Sequence, residues 1–141
     1  MASLSQIRDA IKATLQSKIP GLHVYDTIPD IVQAPAAVVA PDKANFAVAM
    51  ACGSDEWDFL IFVMMPRTDV RAAQDHIDPY LTGSGPKSIR QVFFKHSDLG
   101  LADGTDCFAK GVEKYGAEYE FGRITYIGAA VRLCVTTPGT A

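Results

Sequence analysis

From Glu56 to Met65 the chain reads Glu-Trp-Asp-Phe-Leu-Ile-Phe-Val-Met-Met. Strand side chains alternate between faces, so this stretch sends Trp57, Phe59, Ile61, Val63 and Met65 one way. Leu60, Phe62 and Met64 go the other way. An antiparallel strand with one wet face alternates apolar and polar residues. Here both faces are apolar and both require cover. A chain of 141 residues has few elements with which to supply it. The pattern predicts a protein completed by copies of itself or by partners.

The flanking pattern predicts the remaining elements. Ser3 and Gln6 form a capping-box pair. Leu4, Ile7, Ile11 and Leu15 follow at helical spacing, so a helix is expected from Leu4 to about Ser17, ended by Pro20 and Gly21. Its apolar stripe is narrow and its other face carries both charge signs, which suits docking on a sheet rather than a membrane. Leu22–Tyr25 and Ala36–Ala40 read as short strands, the second stopped by Pro41. Phe46, Val48, Met50 and Cys52 alternate with three alanines. With a turn at Gly53, Ser54 and Asp55, Phe46–Cys52 is expected to form a long hairpin with Glu56–Met65.

After Pro66, Thr68 or Asp69 can cap a helix from Val70 to about Leu81. Val70, Ala73, Ile77 and Leu81 form its inward stripe, and Pro79 predicts a kink or break near Asp78. Ser88–Lys95 reads as a third helix with Ile89, Val92 and Phe93 inward. Leu99–Gly104 reads as a compact turn region. Cys107–Lys114 reads as a strand, Tyr115–Gly122 as an exposed loop, and Arg123–Thr136 as the closing strand. Ile127, Ala129, Val131, Leu133 and Val135 give that last strand one apolar face. The order of elements predicts one α+β domain over residues 1–141, with residues 137–141 frayed. Its sheet is mixed and mostly antiparallel, with a long hairpin and two to three helices packed on it.

Composition narrows the function. Apolar residues make up 48% and charged residues 21%, ordinary for a globular chain and unlike a disordered one. The net charge is −3 and no basic block occurs, which argues against sequence-reading of nucleic acid. Cys52, Cys107 and Cys134 are odd in number and widely spaced, unlike a secreted disulfide framework, and read as reduced thiols in or near the core. The N-terminus lacks the pattern of a signal peptide, and no apolar run reaches membrane-spanning length.

No motif carries catalysis. Gly83-Ser84-Gly85-Pro86-Lys87-Ser88 fails the phosphate-loop spacing, because Leu81 and Pro86 stand where glycine is needed. His23, His76 and His96 lack metal-ligand spacing, and Asp75, His76 and Asp78 fan out around a helix. Cys107 and His96 are a possible nucleophile and base, with nothing local to mark either as activated. Asp55, Glu56 and Asp58 sit at the expected hairpin tip, where a solvated turn is the commoner outcome than acid–base chemistry. Arg132 lies opposite Val131 and Leu133, which marks an edge or solvent-facing position, or else an ion pair across a subunit boundary. Catalytic residues, cofactors and metals are therefore not expected.

At this point the order of elements resembles a known family. The matching parts are the N-terminal helix leading to Pro20-Gly21-Leu22-His23-Val24-Tyr25, a proline-containing loop before Ala36-Ala37-Val38-Val39-Ala40-Pro41, and the long hairpin. They continue with a helix containing Asp78-Pro79-Tyr80-Leu81, Ser88-Ile89 before Asp98-Leu99-Gly100-Leu101-Ala102-Asp103, and Tyr115-Gly116 before Gly122 and Tyr126-Ile127-Gly128-Ala129. Over about residues 3–136 the chain resembles the tail terminator proteins of long-tailed bacteriophages. The resemblance implies a virion protein of the tail or neck, assembled in the host cytoplasm. Such a protein forms a ring, typically a hexamer, on the last ring of the tail tube. It stops tube polymerisation and offers a docking surface to the head. Its partners would be copies of itself, the major tail tube protein and a head–tail connector or stopper. DNA would pass through the ring without sequence-specific contact, and no membrane is involved.

The expected interface gathers Phe46, Val48, Met50, Trp57, Leu60, Phe62, Met64 and Arg132. A head–tail connector or stopper of the same neck is the nearest alternative. A small enzyme or ligand-binding domain is the alternative from another class, and it would need a concave site where ionisable groups converge.

Overall fold

Ile7, Ile11 and Leu15 recur at helical spacing, and α1 forms where they predict, from Leu4 to Lys18. All three are buried. Each such side chain withdraws apolar surface worth about 1.5–3 kcal/mol. A computed structural model describes residues 4–19, 22–25, 36–45, 54–66, 70–83, 85, 87–97, 99, 105–121 and 124–138. After α1 the described elements are β1 (His23–Tyr25), β2 (Ala36–Asn45), β3 (Ser54–Pro66), α2 (Val70–Leu81), α3 (Ile89–Lys95), β4 (Asp106–Phe121) and β5 (Ile124–Pro138).

The five strands form one sheet in the order β1-β2-β3-β5-β4. β1 runs parallel to β2, and every other pair is antiparallel. The fold is α+β with a mixed, mostly antiparallel sheet, as expected. Phe59, Ile61 and Val63 of β3, with Val131, Leu133 and Val135 of β5, face the three helices in one large core. Ser88 caps α3 by accepting from the Gln91 N–H at 3.2 Å, and Ile89, Val92 and Phe93 are buried beneath it as their spacing predicts.

Five local expectations are corrected, the first being the frayed end: Thr137 and Pro138 continue β5 opposite Asp55 and Ser54, and Thr137 is buried. β2 does not stop at Pro41 but continues to Asn45. Beyond Val38 no described strand pairs with its outer side, so the missing Pro41 N–H leaves no gap in a ladder. α2 runs through Pro79 without a break. The proline forgoes its own N–H bond to the Asp75 carbonyl, and the helix ends two residues later at Leu81. Tyr115–Phe121 is strand rather than loop, because β4 pairs with β5 as far as Phe121↔Ile124. The strand partner of Leu60, Phe62 and Met64 is β2, through Ala40, Val38 and Ala36. The expected partner, Phe46–Cys52, lies outside the described residues, as do Phe46, Val48 and Met50 of the expected interface.

The sheet's second face carries a smaller cluster of Ala36, Val38, Met64 and Tyr126, with Phe62 and Tyr25 packed on it. Among the described residues, none from a helix joins this cluster. Leu60 is 6% exposed and Met64 1%, so both are buried within a single chain, while Phe62 is half-buried. That corrects the expectation that a doubly apolar β3 cannot be covered without a second molecule. β3 is the central strand, flanked by β2 and β5, and only Phe62 of the three retains accessible surface.

Candidate functional site

The second face becomes polar towards the start of β3. Asp58 follows Ser54 and Glu56 on the strand face that continues with Leu60, Phe62 and Met64. It is only 2% exposed, so the solvated-turn expectation is corrected. Arg132 stands beside it on β5, between β3 and β4 in the sheet, and so is not on an edge strand.

Its guanidinium holds three strands to its own. Nε and Nη2 both donate to Glu113 Oε2 of β4, at 3.0 and 2.8 Å. Nη1 donates to Asp42 Oδ2 of β2 at 2.9 Å and reaches Asp58 Oδ2 of β3 at 3.5 Å. Hydrogen bonds to Glu113 and then Asp42 raise the Arg132 pKa above the ordinary arginine range, against the opposing effect of burial. Its partners lie within the chain, so the edge reading does not hold and a boundary pair is not needed to satisfy it.

Two β-bulges deliver members of this cluster. The β2–β3 register passes from Pro41↔Phe59 to Lys43↔Asp58, leaving Asp42 as the extra residue. The β4–β5 register passes from Ala109↔Leu133 to Gly111↔Arg132, leaving Lys110 as the extra residue. A bulge re-aims the side chain it inserts. Asp42 thereby reaches Arg132, and the Lys110 ammonium stands 3.6 Å from Asp58 Oδ1 and 3.8 Å from Glu56 Oε1.

Cys134 completes the group and is buried. Burial is the main reason its thiol pKa is pushed up to about 11, with the Glu56 charge acting the same way and Lys110 opposing. The donor atoms of Glu56, Asp58 and Cys134 lie within 4.8 Å of one another. The residues present do not suit a resident cation. Lys110 already supplies positive charge there, 3.6 Å from Asp58 Oδ1 and 3.8 Å from Glu56 Oε1. As built, the cluster is an ion-paired clamp. It lacks the activated nucleophile–base pair that covalent catalysis needs.

Sequence reasoning singled out Asp58 and Arg132 but missed Asp42, Lys110, Glu113 and Cys134 as their companions. The legible signals were the acidic cluster at the start of β3, of which Asp58 is part, and Arg132 as the single charge of β5. The bulges carried no such signal. The other predicted interface residues disperse. Trp57 packs on the helix-side core, its ring 6.5 Å from that of Phe59. Leu60 and Met64 are interior. The Lys114 ammonium lies 5.8 Å from the Phe62 ring centroid. On the helix side a cleft of about 90 Å³ is lined by Tyr80, Leu81, Arg90, Ala109, Val112 and Val131, among others. That is small beside the roughly 300–1,000 Å³ of ordinary ligand pockets, and the roomier hollows, about 520 Å³ over Asp9, Lys12 and Gln16 of α1 and about 320 Å³ over Arg90, Gln91 and Phe94 of α3, each lie over a single helix surface away from the clamp.

No protein-family model matches the chain, and no curated protein matches it.

Proposed function

We propose that this chain is a non-enzymatic assembly protein, the subunit of a ring that closes the head-proximal end of a phage tail tube. The observation that carries the reading is the one-sided placement of the helices. All three pack on one face of the sheet. The other face keeps a separate apolar cluster with half-buried Phe62 and Tyr25 at its surface. Such a face suits a protein neighbour better than a small substrate, because it is apolar and is braced by an ion clamp whose charges are already paired.

On this reading the face around Phe62 meets the next subunit or the last ring of tube protein. The clamp of Arg132, Asp58, Asp42 and Glu113 holds that face rigid across four strands. The resemblance of the element order supplies the specific assignment to a tail terminator. Closed rings use two different patches per subunit, so a second patch is required elsewhere on the molecule.

Electron microscopy of particles assembled without this chain tests the reading. Tubes of uncontrolled length without heads are expected, together with ring density at the tube end when the chain is restored. Tubes of normal length that fail only in joining heads would instead place the chain one position nearer the head, as a connector or stopper. Normal particles lacking the chain would end the proposal.

A further inference from the structure

We propose that Lys114 sets which partner the Phe62 face accepts: a protein surface that brings a carboxylate beside its apolar anchor. The inference rests on the reading of that face as a docking surface. Across the sheet Val38, Phe62, Ala130 and Glu113 stand in one row, since each pairs with the next. Directly paired residues share a face, so all four belong to the second face. Ala130 is small and buried, and it leaves the β5 side of the half-buried Phe62 ring to be covered from β4. Lys114 does this, with its ammonium 5.8 Å from the ring centroid.

On a regular strand the residue after Glu113 would point to the helix side. Lys114 is turned back by its own backbone. Its φ is 55°, a left-handed conformation that costs a residue with a Cβ steric energy. It lies in the irregularity of β4, where the four steps from Glu113 to Ala117 span the two from Ala130 to Gly128. Its successor Tyr115 reaches the helix side and donates to Asp78 of α2. Such strain persists where the surrounding structure enforces it, and it gathers at ligand clamps and functional sites. Here its consequence is a cation placed over the ring that the docking face presents.

The other charges on this face show what Lys114 is left to do. Arg132 is held by Glu113, Asp42 and Asp58. Lys110 stands by Asp58 and Glu56. Lys43 takes the ladder position opposite Asp58, two rows from Phe62. Asp106 is exposed in the row of Thr136 and Glu56, three rows from Phe62. Among the described residues no carboxylate pairs with Lys114, and Glu113 beside it in the chain is engaged by Arg132. A partner that covers Phe62 also covers Lys114. Buried without a counter-charge, the ammonium would oppose the contact. With a carboxylate it forms a charge-assisted pair shielded from water. Nucleic acid fits less well, because the exposed carboxylates of Asp42 and Glu113 lie on the same face and repel phosphate.

Binding of the purified chain to the ends of phage tail tubes, at low and high salt, tests this. Lys114→Met keeps a stem over the ring and removes the charge. It should bind about tenfold or more less tightly at low salt and lose most of the wild type's salt dependence. Lys114→Arg should bind within about threefold of wild type, and Lys114→Glu should bind less tightly than Lys114→Met. All three should melt within about 5 °C of wild type, because Lys114 is exposed. Duplex DNA offered in place of tubes should not bind. Lys114→Met binding as tightly as wild type, with the same salt dependence, would overturn the proposal and leave the ring reading standing. Lys114→Arg binding no better than Lys114→Met, binding lost together with the melting temperature, or DNA binding that Lys114→Met abolishes would each overturn it as well. A wild-type chain that ignores tube ends would remove both the proposal and the ring reading.

Discussion

Arg132 pairs with Leu60 in the β3–β5 ladder, yet its guanidinium reaches back one face position to Asp58, with Nη1 3.5 Å from Oδ2. The acid is buried and the arginine is its cationic neighbour on the adjoining strand. The pair lies where the face of β3 passes from the polar residues Ser54 and Glu56 to the apolar run of Leu60, Phe62 and Met64.

Removing either partner weakens the other's pairing without abolishing it, since Lys110 stands 3.6 Å from Asp58 and Glu113 and Asp42 also hold Arg132. Arg132→Met is expected to cost about 1–3 kcal/mol, below the roughly 3–5 kcal/mol of a buried charge stripped of its only partner, because Lys110 remains beside Asp58. Asp58→Leu should cost less, because Glu113 and Asp42 still hold the Arg132 guanidinium at 2.8–3.0 Å. The double variant should cost less than the sum, because a buried pair replaced by apolar groups is often close to neutral. Urea unfolding of the four proteins measures the coupling, and strict additivity would remove the pair from the account.

Cys134 makes stability depend on alkaline pH. Its thiol pKa is raised in the fold from the ordinary value of 9.0 to about 11. The folded state therefore keeps a proton that the unfolded chain releases first. The contribution is fully present below pH 9 and is lost as pH rises through about 11. Against Cys134→Ala, the wild-type chain should lose roughly 1–3 kcal/mol more over that window, at about 1.36 kcal/mol per unit. Equal slopes for the two proteins would contradict it. The same burial predicts slow alkylation of Cys134 in the native protein at neutral pH and fast alkylation after unfolding.

Gly128 marks where β5 comes closest to β3. A Cβ there would lie 2.1 Å from the Val63 carbonyl oxygen, a backbone atom that cannot swing aside. Gly128→Ala is expected to destabilise by about 2–3 kcal/mol or more, as overpacking does. Gly111→Ala is the control, since a Cβ there meets nothing within 4 Å. It should stay within about 1 kcal/mol of wild type. Thermal melts of both variants decide the matter, and equal effects would show that the close approach is relieved cheaply.

Phe62 tests the docking face. Phe62→Asp should leave a folded chain, because the ring is only half-buried, while preventing ring formation on tube ends. Circular dichroism checks the fold, and electron microscopy of tubes with added protein checks assembly. A folded variant that caps tubes normally would take the face around Phe62 out of the proposed function.

Ile7, Ile11 and Leu15 announced α1 by spacing alone, and Ile89, Val92 and Phe93 announced α3. Ile127, Ala129, Val131, Leu133 and Val135 announced the core face of β5. These patterns were legible because one face of each element is dry and one is wetter, so burial writes its period into the chain. The candidate site was legible only through two residues, Asp58 in the acidic cluster at the start of β3 and Arg132 as the single charge of β5. Asp42 and Lys110 join them through bulges, which shift register by one residue and leave the local composition unchanged.

What the residues alone determined is therefore the set of elements, their inward faces and the α+β class, because each depends on neighbours close in the chain. What tertiary structure alone decided is which strands are neighbours. It paired β3 with Ala36–Asn45, placed β5 between β3 and β4, and made Tyr115–Phe121 part of an edge strand. Pairing joins residues far apart in sequence through backbone groups that every residue carries, so side-chain pattern says little about it. The same pairing brought Asp42, Asp58, Glu113 and Arg132 into one clamp and buried Leu60 and Met64 without a second molecule.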